Sequence, residues 1–162
     1  MTADRGAYLR ERLRLSPHPE GGHFREIYRS PDRVQPADGR PPRAALTTIF
    51  FLLQAGELSR WHRVSSDEVW HFYEGEGLEL LVAPPPMDRV ARLQLGPVSE
   101  GRRPAYTVPA HWWQAARPVG SHALTGCTVA PGFDFADFSF LRDDAVLAQR
   151  LAAIDPAAAD LL

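Results

Sequence analysis

Gly56-Glu57-Leu58-Ser59-Arg60-Trp61-His62-Arg63-Val64-Ser65-Ser66-Asp67-Glu68-Val69-Trp70-His71-Phe72-Tyr73-Glu74-Gly75 is the stretch on which the fold turns. Two runs of strand character, residues 58–64 and 68–74, flank a Ser-Ser-Asp turn and read as a hairpin. His62 falls late on the first run and Glu68 at the start of the second, so the pairing brings their side chains toward one point. An imidazole nitrogen beside a carboxylate oxygen suits Zn, Fe, Mn or Ni, or an acid/base pair. Alternation along the second run places Glu68, Trp70 and Phe72 on one face and turns His71 to the other, unless a bulge near Asp67 reverses the parity.

Outward from this stretch, short strand candidates recur at residues 44–53, 77–83, 90–95, 105–108, 114–118, 122–129 and 137–141. Gly75-Glu76-Gly77, Pro84-Pro85-Pro86, Gly96-Pro97, Val119-Gly120-Ser121 and Ala130-Pro131-Gly132 punctuate them. Many short strands at such spacing predict an antiparallel sandwich or barrel. Toward the N-terminus, Tyr8, Leu9 and Leu13 among arginines predict a short amphipathic helix over 2–15, stopped by Pro17 and Pro19. The Gly21-Gly22 turn leads into a strand over about 23–29, and the polar, proline-rich residues 30–43 read as an exposed, mobile loop whose arginines carry no inference. Phe133, Phe135, Phe138 and Phe140 stand among aspartates, and the alanine-rich residues 143–162 are helical, restarting at Asp155-Pro156 with Asp155 as N-cap. The class is mainly β with helices at both ends: one domain over 1–162, its core at about 20–141, helices at about 4–15 and 143–162.

Composition narrows the function. The chain has 162 residues, 18 basic and 20 acidic, for a net charge of -2, which argues against a nucleic-acid partner that needs a basic excess. Every basic residue is arginine, so lysine Schiff-base and lysine-base chemistry are excluded. Cys127 is the single cysteine and reads as a buried small hydrophobe rather than a nucleophile. No apolar stretch approaches the roughly 20 residues of a membrane span, and residues 1–14 are charged rather than signal-like. The expectation is a cytoplasmic protein with no membrane partner.

Gly56, His62, Glu68 and Gly75 fall on the places of the first cupin motif, which this stretch resembles. Val64 stands where that motif has its second histidine. Pro109-Ala110-His111-Trp112-Trp113-Gln114 resembles the second motif, with His111 in the glycine place and Gln114 in that of the metal-binding histidine. Further blocks narrow the resemblance: His18-Pro19-Glu20-Gly21-Gly22, Trp61-His62-Arg63, Asp67-Glu68-Val69-Trp70-His71-Phe72, Leu78-Glu79-Leu80-Leu81, Val108-Pro109-Ala110 and Gly126-Cys127-Thr128-Val129-Ala130-Pro131-Gly132-Phe133. Together, over residues 13–140, they look like one uncharacterised cupin subfamily of bacteria and fungi, its members described as domains of unknown function. The resemblance implies a double-stranded β-helix (jelly-roll barrel), a homodimer, and likeness to sugar-nucleotide epimerases. By resemblance those epimerases use a His base, a lysine and a Tyr acid, and the missing lysine argues against a direct transfer of that mechanism.

The resemblance also implies one divalent metal ion (Fe, Mn, Ni or Zn), with a ligand set reduced here to His62, Glu68 and Gln114 and with His71 and His111 as alternates. His62 and Glu68 are the catalytic candidates. A small-molecule pocket walled by tryptophans would add Arg60, Trp70, Phe72, Trp113 and Gln114 as substrate-binding residues. Arg60 and Arg63 either pair with an anionic substrate or are solvated edge charges. Glu20 lies near a pocket or subunit boundary or merely in a turn, and His122 is read as exposed. The expected activity is isomerase- or epimerase-like proton transfer on a sugar-related or other small polar substrate. The rivals are a non-catalytic ligand-binding barrel and a metal-dependent dioxygenase-like enzyme.

Overall fold

The computed structural model describes residues 4–162. Helix α1 (Arg5–Arg12) starts where the Asp4 carboxylate accepts the Gly6 N–H; Thr2, placed in this helix by the sequence pattern, lies outside the described residues. The strands follow as β1 (Ser16–Pro17), β2 (His23–Arg29), β3 (Arg33–Val34), β4 (Arg43–Ala44), β5 (Thr47–Gln54), β6 (Ser59–Val64) and β7 (Asp67–Gly75). Then come β8 (Leu78–Ala83), β9 (Ala91–Leu95), β10 (Ala105–Val108), β11 (Trp113–Pro118), β12 (His122–Ala130) and β13 (Phe138–Phe140), before helix α2 (Ala145–Ile154).

The larger sheet has the order β1-β2-β5-β12-β7-β10 and the smaller β13-β6-β11-β8-β9, with every ladder antiparallel. Facing each other, they make the jelly roll that the cupin resemblance implies. Period-two alternation builds the core: Phe51 and Leu53 of β5 meet Trp70 of β7 and Leu78, Leu80 and Val82 of β8. The opposite face of β5 turns Leu52 outward, where Leu9 and Leu15 cover it together with Leu124. On the outer side of the smaller sheet, Trp61, Leu81 and Trp113 pack under Leu151 of α2 and Leu161 of the C-terminal turn. Each buried leucine in these layers contributes about 1.5–3 kcal/mol, so both terminal segments are welded to the sheets rather than appended.

Three expectations need correction. The stretch 56–75 is not a hairpin: β6 pairs with β11 and β13, β7 with β10 and β12, so Ser65-Ser66 is a corner between sheets. Residues 30–43 are not a free loop, since Arg33 and Val34 pair with Ala44 and Arg43, and Arg43 is buried against Asp137. The strand candidate at 137–141 shrinks to Phe138–Phe140, set between single turns Phe135–Asp137 and Leu141–Asp143, and at the first the Asp134 carboxylate accepts the Ala136 N–H and competes with extension.

Candidate functional site

The site begins with the tight turn His18-Pro19-Glu20-Gly21-Gly22, closed by the Gly21 N–H to the His18 carbonyl (3.0 Å) and the His18 N–H to the Gly22 carbonyl (2.9 Å). Gly21 has φ +113°, and a Cβ there would lie 1.9 Å from the Leu58 carbonyl oxygen, so only glycine lets the turn press onto the start of β6. The Arg60 N–H donates to the Glu20 carbonyl at 2.8 Å, and the Ser59 hydroxyl donates to Glu20 Oε1 at 2.9 Å. Glu20 is thereby carried into the interior, its Oε2 3.1 Å from His62 Nε2.

His62 is oriented from its other side. Its Nδ1 lies 2.7 Å from the Arg60 carbonyl oxygen, which only accepts, so Nδ1 holds the proton and Nε2 presents its lone pair to Glu20. Burial pushes the Glu20 carboxyl up to about 8 against the opposing Ser59 bond, so at neutral pH Glu20 is protonated and donates to Nε2. Burial also holds His62 below the ordinary imidazole range, opposed by Glu68 and the Arg60 carbonyl. His18, whose Nδ1 accepts the Glu20 N–H at 3.1 Å, is pushed down to about 3 by burial and by His62. The Glu68 carboxyl is raised by burial, offset by His62. Burial likewise lifts the Cys127 thiol, which bonds to Glu68.

These groups line one cavity of about 30 Å³ between the sheets, room for about two water molecules. Its walls are Phe24, Ile49, Val64, Val129, Phe133 and Phe138. Phe138 stacks on the His62 ring at 5.1 Å because β13 pairs along β6.

His62 and Glu68 do meet at this cavity, but across facing sheets. The other sequence candidates lie elsewhere. Gln114 sits behind Glu68, donating to its Oε2 at 2.6 Å and accepting the Trp70 indole N–H at 2.7 Å, so Trp70 is a core support rather than a wall. Phe72 packs half-buried against the main core. Trp113 faces the opposite way, toward α2, with the Arg63 guanidinium 4.5 Å above its ring. Arg60 reaches the Leu162 carbonyl at 2.7 Å. His71 stacks beside Tyr73, as strand parity requires. His111 is exposed at φ +69°, a conformation suited to the glycine whose place it takes. His122 is buried, not exposed, between Ser121 and Glu74. The walls are phenylalanines and branched aliphatic side chains, not tryptophans. Sequence reasoning left Glu20 undecided and passed over His18, Cys127 and Phe138 as site residues; the Gly21-Gly22 pair after Glu20 was the available signal.

The residues do not fit the divalent ion that the resemblance implies. Val64 replaces one imidazole, the Gln114 carbonyl is taken by Trp70, and the free His62 nitrogen faces Glu20. Among the described residues, no three His, Cys, Asp or Glu side chains are grouped so as to hold a metal.

With this geometry in hand, comparison with known proteins is decisive about kinship. The sequence profile described as Cupin superfamily (DUF985) matches residues 7–141. The chain belongs to this cupin family. Among solved structures, a hypothetical protein from Leishmania major is 31% identical with a TM-score of 0.82, the match covering 95% of this chain and 96% of that one. A Shewanella oneidensis protein is 31% identical with a TM-score of 0.79, covering 99% and 94%. A cupin 2 conserved barrel protein from Rhodopseudomonas palustris, 15% identical at a TM-score of 0.60 over 91% and 84%, shares the fold alone. No curated protein matches. No helix of this cupin, among the described residues, is long and apolar enough to cross a membrane.

Proposed function

We propose that this cupin binds a small polar molecule between its sheets and moves a proton on it, as an isomerase- or epimerase-like enzyme. The observation that carries the reading is the 3.1 Å contact between Glu20 Oε2 and His62 Nε2 inside an apolar-walled cavity. Nδ1 is committed to a carbonyl, so Nε2 is the one basic nitrogen of His62. It takes a proton from a carbon next to a carbonyl group. Glu20, protonated by burial, turns its O–H from Nε2 to the carbonyl oxygen and completes the enol. Return of the proton to the other face, or to the neighbouring carbon, gives the epimer or isomer. Glu68, fixed by Gln114, is a second carboxyl raised by burial and contacts the substrate from the β7 side. The step leaves a neutral enol beside a His62 imidazolium and a Glu20 carboxylate, an ion pair whose attraction the apolar walls strengthen.

The test is exchange of substrate carbon-bound hydrogen in D2O, followed by NMR. His62→Gln is expected to lower the exchange rate by roughly 10²–10⁴, the usual contribution of a general base, with folding checked by circular dichroism. A non-catalytic binding barrel is the alternative, favoured by the small size of the cavity. It stands if a ligand binds and the unmutated protein never exchanges its hydrogen. A metal-dependent dioxygenase-like reading has no donor set to support it.

A further inference from the structure

Resting on the proton-transfer reading, we infer that the substrate is an uncharged hydroxycarbonyl compound, not a phosphorylated sugar or a sugar nucleotide. The disposition of positive charge around the cavity sets this preference. Among the described residues, no arginine lines the inner cavity. Arg60, the nearest by sequence, is turned to the C-terminal carbonyl, and Arg63 lies over Trp113 on the outer face. Arg40 and Arg43 are both bound to Asp137, at 2.9 and 2.8 Å. A phosphate or carboxylate entering the cavity would meet two buried carboxyl groups and two imidazoles, and would be desolvated without a counter-charge.

The way in reinforces this selectivity. A groove of about 280 Å³ adjoins the cavity and shares Phe24 and Phe133 with it. Its single cation, Arg29, is held by both oxygens of Glu26 at 2.9 and 2.8 Å and also donates to the Phe133 carbonyl at 3.1 Å. Asp134 adds a second carboxylate to the groove, leaving it one charge negative on balance. What the two chambers do offer is hydroxyl- and carbonyl-binding groups (Glu20, His62, Glu68) within flat aromatic walls that suit the carbon face of a small polyol. A carbonyl and its adjacent hydroxyl take the places of about two water molecules in the inner chamber, and the remainder of the molecule occupies the groove.

Matched pairs of probes test the inference on the intact protein: glycolaldehyde against glycolaldehyde phosphate, and D-glyceraldehyde against its 3-phosphate. Binding is read by calorimetry and carbon-hydrogen exchange by NMR in D2O. The uncharged member is expected to bind at least tenfold more tightly, and Glu26→Gln, which frees Arg29, to narrow that ratio. Tighter binding of the phosphorylated member overturns the inference, as does binding of neither. The two readings fail separately. An uncharged probe that binds without exchange supports the substrate class and overturns proton transfer. Faster exchange of the phosphorylated probe does the reverse.

Discussion

Gly21 holds the site together without contributing a functional atom. At φ +113°, with the Leu58 carbonyl oxygen 1.9 Å from where its Cβ would stand, Gly21→Ala combines a disfavoured backbone with a backbone clash. The expected cost is about 2 kcal/mol or more in chemical denaturation, and the displaced Glu20 should reduce exchange activity in the protein that remains folded. Gln114 makes a different point. It satisfies the Trp70 indole and Glu68 at once, so Gln114→Leu strands two buried polar groups and should cost roughly 1–3 kcal/mol for each, read as a fall in unfolding free energy. At this scale the sequence was legible where one local motif carried the residue, as for His62 and Glu68. It left Glu20 between a pocket and a turn because the partners of that side chain, Ser59 and His62, come from a distant strand. It also misread Gln114, because an amide in a ligand's place is equally an amide in a hydrogen-bond relay.

The elements show where period-two reasoning succeeds and where it ends. It placed most strands to within a residue or two and turned His71 away from the site, since alternation is a local property. Which strand pairs with which is not local. The Ser65-Ser66 link looked like a hairpin turn, yet the chain crosses to the other sheet there. Likewise, the polar composition of residues 30–43 hid a clamp. Arg40 and Arg43 converge on Asp137, which leads directly into Phe138, the residue stacked on His62. Asp137→Ala leaves two largely buried guanidinium groups without their partner and should destabilise the fold by on the order of 3 kcal/mol. Because the arginines hold the Asp137 carboxyl below its usual range, their contribution is present above about pH 3.8 and fades as the pH falls below that value. Loosening the clamp should also speed ligand entry, measured as a faster association rate for an uncharged probe.

For the whole molecule, burying acids and bases around one cavity makes stability a function of pH, and the sign follows from which state holds more protons. Glu20 titrates near 8 in the fold and near its ordinary 4.5 when unfolded, so between those values the folded state binds the extra proton and stability falls as the pH rises. Glu68, raised in the same direction, adds to this fall. His18 does the opposite: at about 3 folded against 6.5 unfolded, the unfolded chain binds the extra proton, and stability rises with pH across that window. His62, lowered likewise, reinforces the rise. Between about pH 4.5 and 6.5 the two trends oppose each other, so urea denaturation should show a plateau there, an acid limb from 4.5 down to 3, and an alkaline limb from 6.5 to 8. Glu20→Gln removes the Glu20 contribution to the alkaline limb. Its stability should keep rising through the plateau region and lose less between pH 6.5 and 8. An alkaline limb unchanged in that variant would mean that Glu20 is ionised in the folded protein, and would remove the proton that the proposed mechanism delivers to the carbonyl.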